Sequence, residues 1–114
     1  MAITGRSKLE KLKRKNRGNK LLGKAIDKLI VDLKQNAITD NEMLKKIRPD
    51  ADLVHSDGFY IFNIHIHRTM ILLEFEDNGE VTVAWCGSHD EYEQTFRNNK
   101  NTIKKWLRNQ GFIN

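Results

Sequence analysis

The chain has 114 residues, 20 Lys and Arg against 15 Asp and Glu, and a net charge of +5. That length fits one domain burying roughly two-thirds of its unfolded surface, so no metal or disulfide staple is needed for a core. A lone cysteine, Cys86, excludes an internal disulfide, and no run of eighteen apolar residues or N-terminal apolar segment occurs, so the expectation is a reducing, cytoplasmic setting without membrane insertion or export.

Taken in chain order, Ser7 to Lys15 predicts a short helix whose apolar contacts are Leu9 and Leu12, broken at Asn16-Arg17-Gly18-Asn19. Residues 1–18 read as a basic N-terminal arm. From Lys20 to Lys34, Leu22, Ile26, Leu29, Ile30 and Leu33 recur at helical spacing and should pack one stripe against a sheet. Thr39-Asp40-Asn41-Glu42 has capping-box spacing and opens a short helix through Ile47 that must end before Pro49.

Strands follow. Leu53 to His55 is expected to pair with the next strand across Ser56-Asp57-Gly58. Phe59 to His67 alternates, with Tyr60, Phe62, Ile64 and Ile66 on one face and Phe59, Ile61, Asn63, His65 and His67 on the other. Met70 to Glu76 and Glu80 to Cys86 predict a hairpin around Asp77-Asn78-Gly79. A bulged three-residue loop would match Ile71, Leu73 and Phe75 to Trp85, Val83 and Val81, keeping apolar residues together. Ser88 and Glu91 have the S-x-x-E spacing of a second capping box, opening a helix to Phe96. A last helix, Asn101 to Asn109, presents Ile103, Trp106 and Leu107 before Gly111.

The plan is α+β: N-terminal helices packed on a small antiparallel sheet of three to four strands, then C-terminal helices. Helices are expected on one sheet face, leaving the face of Asn63, His65 and His67 for a substrate. Charge is segregated. Residues 1–36 hold eleven Lys and Arg against three acids, residues 37–96 four against twelve, and residues 97–114 five against none. Basic ends around an acidic middle are an electrostatic footprint for nucleic acid, although a charge run is more often a solvated face.

Gly87-Ser88-His89-Asp90-Glu91-Tyr92-Glu93 resembles the small-Thr/Ser-His-x-Glu-Tyr-Asp signature of HigB-type toxins from bacterial toxin–antitoxin modules, in the RelE-like superfamily of messenger-RNA-cleaving enzymes. The resemblance runs from about Ala25 to Tyr92 and includes the helix Ala25 to Ile30, Ile47-Arg48-Pro49 and the turn carrying Arg68. It departs in three places: a basic helix opens the chain where the family often has a short strand, Glu93 replaces Asp, and Ala84-Trp85 stand where basic residues are common. What it implies is a compact, cofactor-free, metal-independent ribonuclease acting on messenger RNA at the ribosome, neutralised by a HigA-like helix-turn-helix antitoxin.

Metal-free RNA cleavage needs proton transfer from the 2′-hydroxyl and stabilisation of phosphorane charge, work suited to imidazole and guanidinium. His89 is the first candidate for proton transfer, against a plain helix-start histidine. Tyr92 is a candidate donor or orienting group, against a core tyrosine packed on Phe96. His67 and Arg68 sit at a strand turn, where Arg68 suits phosphate charge or else balances Glu74 or Glu76. Lys45, Lys46, Arg48, His65, Lys104, Lys105 and Arg108 are candidate RNA contacts, with Phe59 and Tyr60 available for base stacking. A zinc site on His65 and His67 is weaker, because no suitably spaced third ligand is evident. A non-catalytic nucleic-acid-binding module, or an inactive relative of the toxins, is the remaining alternative.

Overall fold

A computed structural model describes residues 3–36, 38–74 and 80–114. The first strand, β1 (Ile3–Thr4), leads into α1 (Arg6–Lys15), α2 (Lys20–Gln35) and α3 (Asn41–Ile47). Strands β2 (Asp52–His55), β3 (Phe59–Ile64), β4 (His67–Leu73) and β5 (Val81–Ser88) follow, and α4 (His89–Phe96) and α5 (Lys100–Asn109) close the chain. The strands form one sheet in the order β1-β5-β4-β3-β2, with β1 parallel to β5 and the other pairs antiparallel. The α+β expectation holds, with five strands rather than three or four. The short opening strand is present after all, too brief for any two-residue alternation to reveal it.

Both faces of the sheet are covered, which corrects the one-faced expectation. On one side Leu9, Leu12, the α2 stripe and Leu44 meet Tyr60, Phe62, Ile64, Ile71, Val81 and Val83. On the other, Tyr92, Phe96, Ile103 and Leu107 meet Val54, Phe59, Ile61, Met70 and Ala84. Phe59 and Tyr60 are therefore core residues, and neither is placed to stack on a base. The Tyr60 hydroxyl donates to Asn41 Oδ1 at 2.9 Å.

The β3–β4 connection accounts for a second correction. Ile64 pairs with His67 across a two-residue loop, His65-Ile66, with His65 at φ 62°. Strand alternation stops at Ile64, so His67 starts the next strand on the face of Ile64, opposite to Phe59 and Ile61. In the β4–β5 pair, Leu73 lies opposite Val81 and Ile71 opposite Val83, a slip of two residues from the expected match. A two-residue slip keeps every side chain on its own face, so hydrophobic pattern alone does not detect it. The expected loop Asp77-Asn78-Gly79, with Phe75 and Glu76, lies outside the described residues. The register then shifts at Ala84, between the pairs Ile71–Val83 and Met70–Trp85. As a result both Ala84 and Trp85 pack toward α4 and α5.

Beyond Thr82 the outer edge of β5 is no longer paired with β1, and α1 covers it. Lys8 Nζ donates to the Val83 carbonyl at 3.2 Å, and Cys86 Sγ lies 3.2 Å from the Lys8 carbonyl. Gly5, at φ 80°, makes the turn between β1 and α1, where a Cβ would stand 2.7 Å from the Val83 oxygen. The basic arm is thus a helix with Leu9 and Leu12 in the core. At α3 the cap is Asp40 rather than Thr39, its carboxylate accepting from Met43 N at 2.8 Å. Either residue type caps well, and the helix begins one position later than the box spacing suggested.

Arg48, expected to contact RNA, is only 9% exposed. Its guanidinium donates to Asp32 at 3.3 Å, to Asp50 at 2.9 Å and to the Asn63 carbonyl at 3.0 Å, and lies over Phe62. It ties α2, the turn after α3 and β3 together, so its charge is spent internally. Removing a partner from a buried ion pair leaves uncompensated charge. Because Asp32 and Asp50 keep some solvent, Arg48→Ala should cost about 3 kcal/mol, read as a lowered urea midpoint at unchanged slope.

Candidate functional site

The end of β5 hands directly into α4, and local chemistry explains the sharp junction. Ser88 Oγ accepts from Glu91 N at 3.1 Å, and Glu91 Oε1 accepts from Ser88 N at 3.0 Å, completing the expected capping box. These bonds hold the Glu91 carboxyl below its ordinary range, first through the Ser88 backbone N–H and then with help from Lys15 and His67. Gly87 is required by close approach, since a Cβ there would sit 2.8 Å from the Trp85 ring. Beside the junction, His67 pairs with Ser88 and Arg68 with Gly87. All four expected catalytic residues, His67, Arg68, His89 and Tyr92, therefore belong to one corner of the molecule.

They do not form one cluster. Successive strand residues point to opposite faces, so His67 faces α1 while Arg68 faces α4. The Arg68 guanidinium lies 4.6 Å from the centre of the Tyr92 ring. Tyr92 is 1% exposed and packs on Trp85 and Phe96 with centroids 6.1 and 5.5 Å away. Burial pushes its hydroxyl above the usual tyrosine range, Asp52 and Glu93 add to this, and Arg68 opposes it. A cation over an aromatic face is worth roughly 0.5–2 kcal/mol, enough to bias where a flexible guanidinium rests. His89, one helical turn before Tyr92, has a side chain 52% exposed, with Nε2 4.0 Å from Glu93. Arg68 and His89 thus belong to the same side of the sheet, at the positive end of α4.

His67 is placed differently. It is 6% exposed, and its Nδ1 is fully buried with no hydrogen-bond partner among the described residues. Desolvation lowers its pKa, while Glu91 pulls the other way. The ring lines an open cleft of about 550 Å³ between α1 and the end of β5. Lys8, Lys11 and Lys15 form the opposite wall, and Cys86, Gly87, Ser88 and Glu91 complete it. Burial pushes the Cys86 thiol up to about 11, so it stays protonated. Sequence reading passed over the three lysines as part of a charge run. Their signal was spacing: positions 8, 11 and 15 share one helical face, flanking the buried Leu12.

The other expected RNA contacts are scattered. Lys45 donates to the Ala51 carbonyl, Lys46 is exposed on α3, and His65 is exposed at the β3–β4 loop. Lys104, Lys105 and Arg108 are exposed on α5, whose buried side is Ile103 and Leu107. His55 sets its ring edge-on to Phe59 and accepts from Asp57 N at 3.1 Å. Among the described residues no group of three His, Cys, Asp or Glu side chains gathers as a metal site would require. No described helix is long and apolar enough to cross a membrane.

A mixed sheet between two helical layers, with a capped strand-to-helix corner bearing histidine and arginine, is consistent with the RelE-like class of toxins. The family model HigB_toxin, described as the RelE-like toxic component of a toxin-antitoxin system, matches residues 23–95, and the chain belongs to that family. Membership makes it the toxic component of such a system and implies an antitoxin as partner. A comparison with curated proteins finds no match. The matched segment begins after α1, so the lysines lining the cleft lie outside it.

The titration of His67 has a measurable consequence. Its folded-state pKa lies below the ordinary 6.5, so the unfolded chain takes up a proton first as pH falls. Stability should be level above about pH 6.5 and decline below it, toward the folded-state pKa. His67→Gln should flatten that decline in urea midpoints measured across the range.

Proposed function

We propose that this toxin is a metal-independent endoribonuclease that cleaves messenger RNA at the ribosome, in the cytoplasm, and is neutralised by a HigA-like helix-turn-helix antitoxin. The observation that carries the reading is the Arg68 guanidinium resting on the Tyr92 ring, one helical turn from His89 at the start of α4. Guanidinium matches paired phosphate oxygens, and the helix start adds positive potential where negative charge develops. His89 takes the proton of the 2′-hydroxyl as its oxygen attacks phosphorus. The P–O5′ bond breaks to give a 2′,3′-cyclic phosphate, and the departing oxygen takes a proton from water at this open corner. Tyr92, buried and with a raised pKa, is a positioning residue that holds Arg68 rather than a proton donor. His65, Lys46, Lys104, Lys105 and Arg108 supply phosphate and backbone contacts without sequence choice.

A second reading, binding without cleavage, draws on Ala84 and Trp85. Both pack toward α4, so that stretch of β5 offers no cation to the site.

Arg68→Ala and His89→Ala should each lower RNA cleavage by about a hundredfold or more and abolish growth arrest on induction, with antitoxin binding unchanged. His89→Ala should keep the parent's melting temperature, and Arg68→Ala should lose only the roughly 0.5–2 kcal/mol of its contact with Tyr92. Mapping transcript ends after induction reads the chemistry directly. If both variants arrest growth as strongly as the parent, the catalytic assignment is wrong.

A further inference from the structure

The cleft on the other face of the corner takes no part in the proposed chemistry. Its basic wall belongs to α1, where the spacing from Lys8 to Lys15 spans about 10 Å of helix at 1.5 Å per residue. Lys8 is committed to the Val83 carbonyl. Lys11 and Lys15 form no hydrogen bond or ion pair among the described residues, though Lys15 is close enough to Glu91 to be felt by its carboxylate. The floor is of a different character: the mostly buried His67 imidazole, a protonated thiol, the Ser88 hydroxyl and the capping carboxylate of Glu91. Cations at the rim over a floor of mixed donors and acceptors suit a nucleotide, whose phosphate is anionic and whose base edge is neutral and polar.

We infer that this cleft is a ribonucleotide subsite, in which the base of an unpaired nucleotide lies against His67 and Ser88 while Lys11 and Lys15 hold the phosphates of the strand. This rests on the reading of RNA as the substrate and extends it. His67 and Ser88 are cross-strand partners, as are Arg68 and Gly87, so an RNA strand leaving the Arg68 side at the start of β4 meets the cleft next. Sequence-selective RNA recognition works on unpaired bases splayed into pockets, and a cleft of about 550 Å³ is within the range that holds small ligands. An acidic peptide from a protein partner fits less well, because its carboxylates would face Glu91. His67 is accordingly a binding residue, on the far side of the sheet from the proposed chemistry.

The test is fluorescence anisotropy of the full chain with a labelled single-stranded oligoribonucleotide carrying 2′-O-methyl groups, which cannot be cleaved, titrated across salt. Single-stranded binding loses affinity with salt at a slope of about 0.7 per neutralised phosphate. Lys11→Gln/Lys15→Gln should reduce that slope by about 1.4, whereas Lys24→Gln/Lys34→Gln on α2 should leave it unchanged. Amide shifts on adding the oligonucleotide should move at Cys86 and Ser88, and inorganic phosphate alone should move only the α1 lysines. A slope unaltered by the Lys11 and Lys15 changes overturns the subsite. So does a poly-glutamate peptide that shifts Cys86 and Ser88 and competes with the oligonucleotide at equal strength, since the cleft then belongs to an acidic partner. The two readings separate cleanly. Should the lysine changes reduce the slope as expected while the parent chain cleaves no RNA, the nuclease reading fails and the subsite stands. Should the lysine variant cleave RNA with the parent's KM and salt slope, the subsite fails and the nuclease stands.

Discussion

The pairing of β4 with β5 governs what this corner can do. His67 and Arg68 open β4 opposite Ser88 and Gly87, and the pleat sends their side chains to opposite faces. A guanidinium therefore goes to α4 and an imidazole to α1, and no rotamer change brings both to one side. The same constraint sets their environments. Arg68 finds an aromatic face, because the register shift at Ala84 turns Trp85 toward α4 and Trp85 in turn backs Tyr92. His67 finds an enclosed site, because α1 is drawn over the unpaired edge of β5.

Each half of the corner rests on one of the two cores. On the α4 side an aromatic chain runs from Tyr92 through Phe96 and Trp106 to Phe112, with neighbouring ring centroids 5.3 to 6.0 Å apart. Such a chain fixes the first turn of α4, and with it the position of His89. On the α1 side the anchor is thinner: Leu9, Leu12 and the bonds of Lys8 and Cys86 to backbone carbonyls. Two layers on one sheet thus give one firmly backed site and one whose wall depends on a single short helix.

Much of this was legible in the residues. The α2 stripe and the Ser88–Glu91 box each carry a local pattern with a direct physical meaning and appear where the pattern places them, whereas the strand from Phe59 stops at Ile64 and the next begins at His67. What was hidden required knowledge of the far partner. Periodicity shows that α4 and α5 have an apolar side, but not that they take the second face of the sheet. Arg48 looks like any surface arginine until Asp32, Asp50 and the Asn63 carbonyl are brought around it. A hairpin slip of two residues is silent in the hydrophobic pattern, and a two-residue loop at His65-Ile66 reversed the face assigned to His67.

The helix α1 also shields backbone. From Val83 onward, the side of β5 away from β4 presents peptide groups that β1 does not reach, and a short basic helix lies across them. Exposed edges of this kind template pairing with other chains. A form of the protein trimmed ahead of Lys20 would lose both β1 and α1 and leave β5 as a bare edge strand, so cleavage between α1 and α2 with release of α1 should promote edge-to-edge self-association.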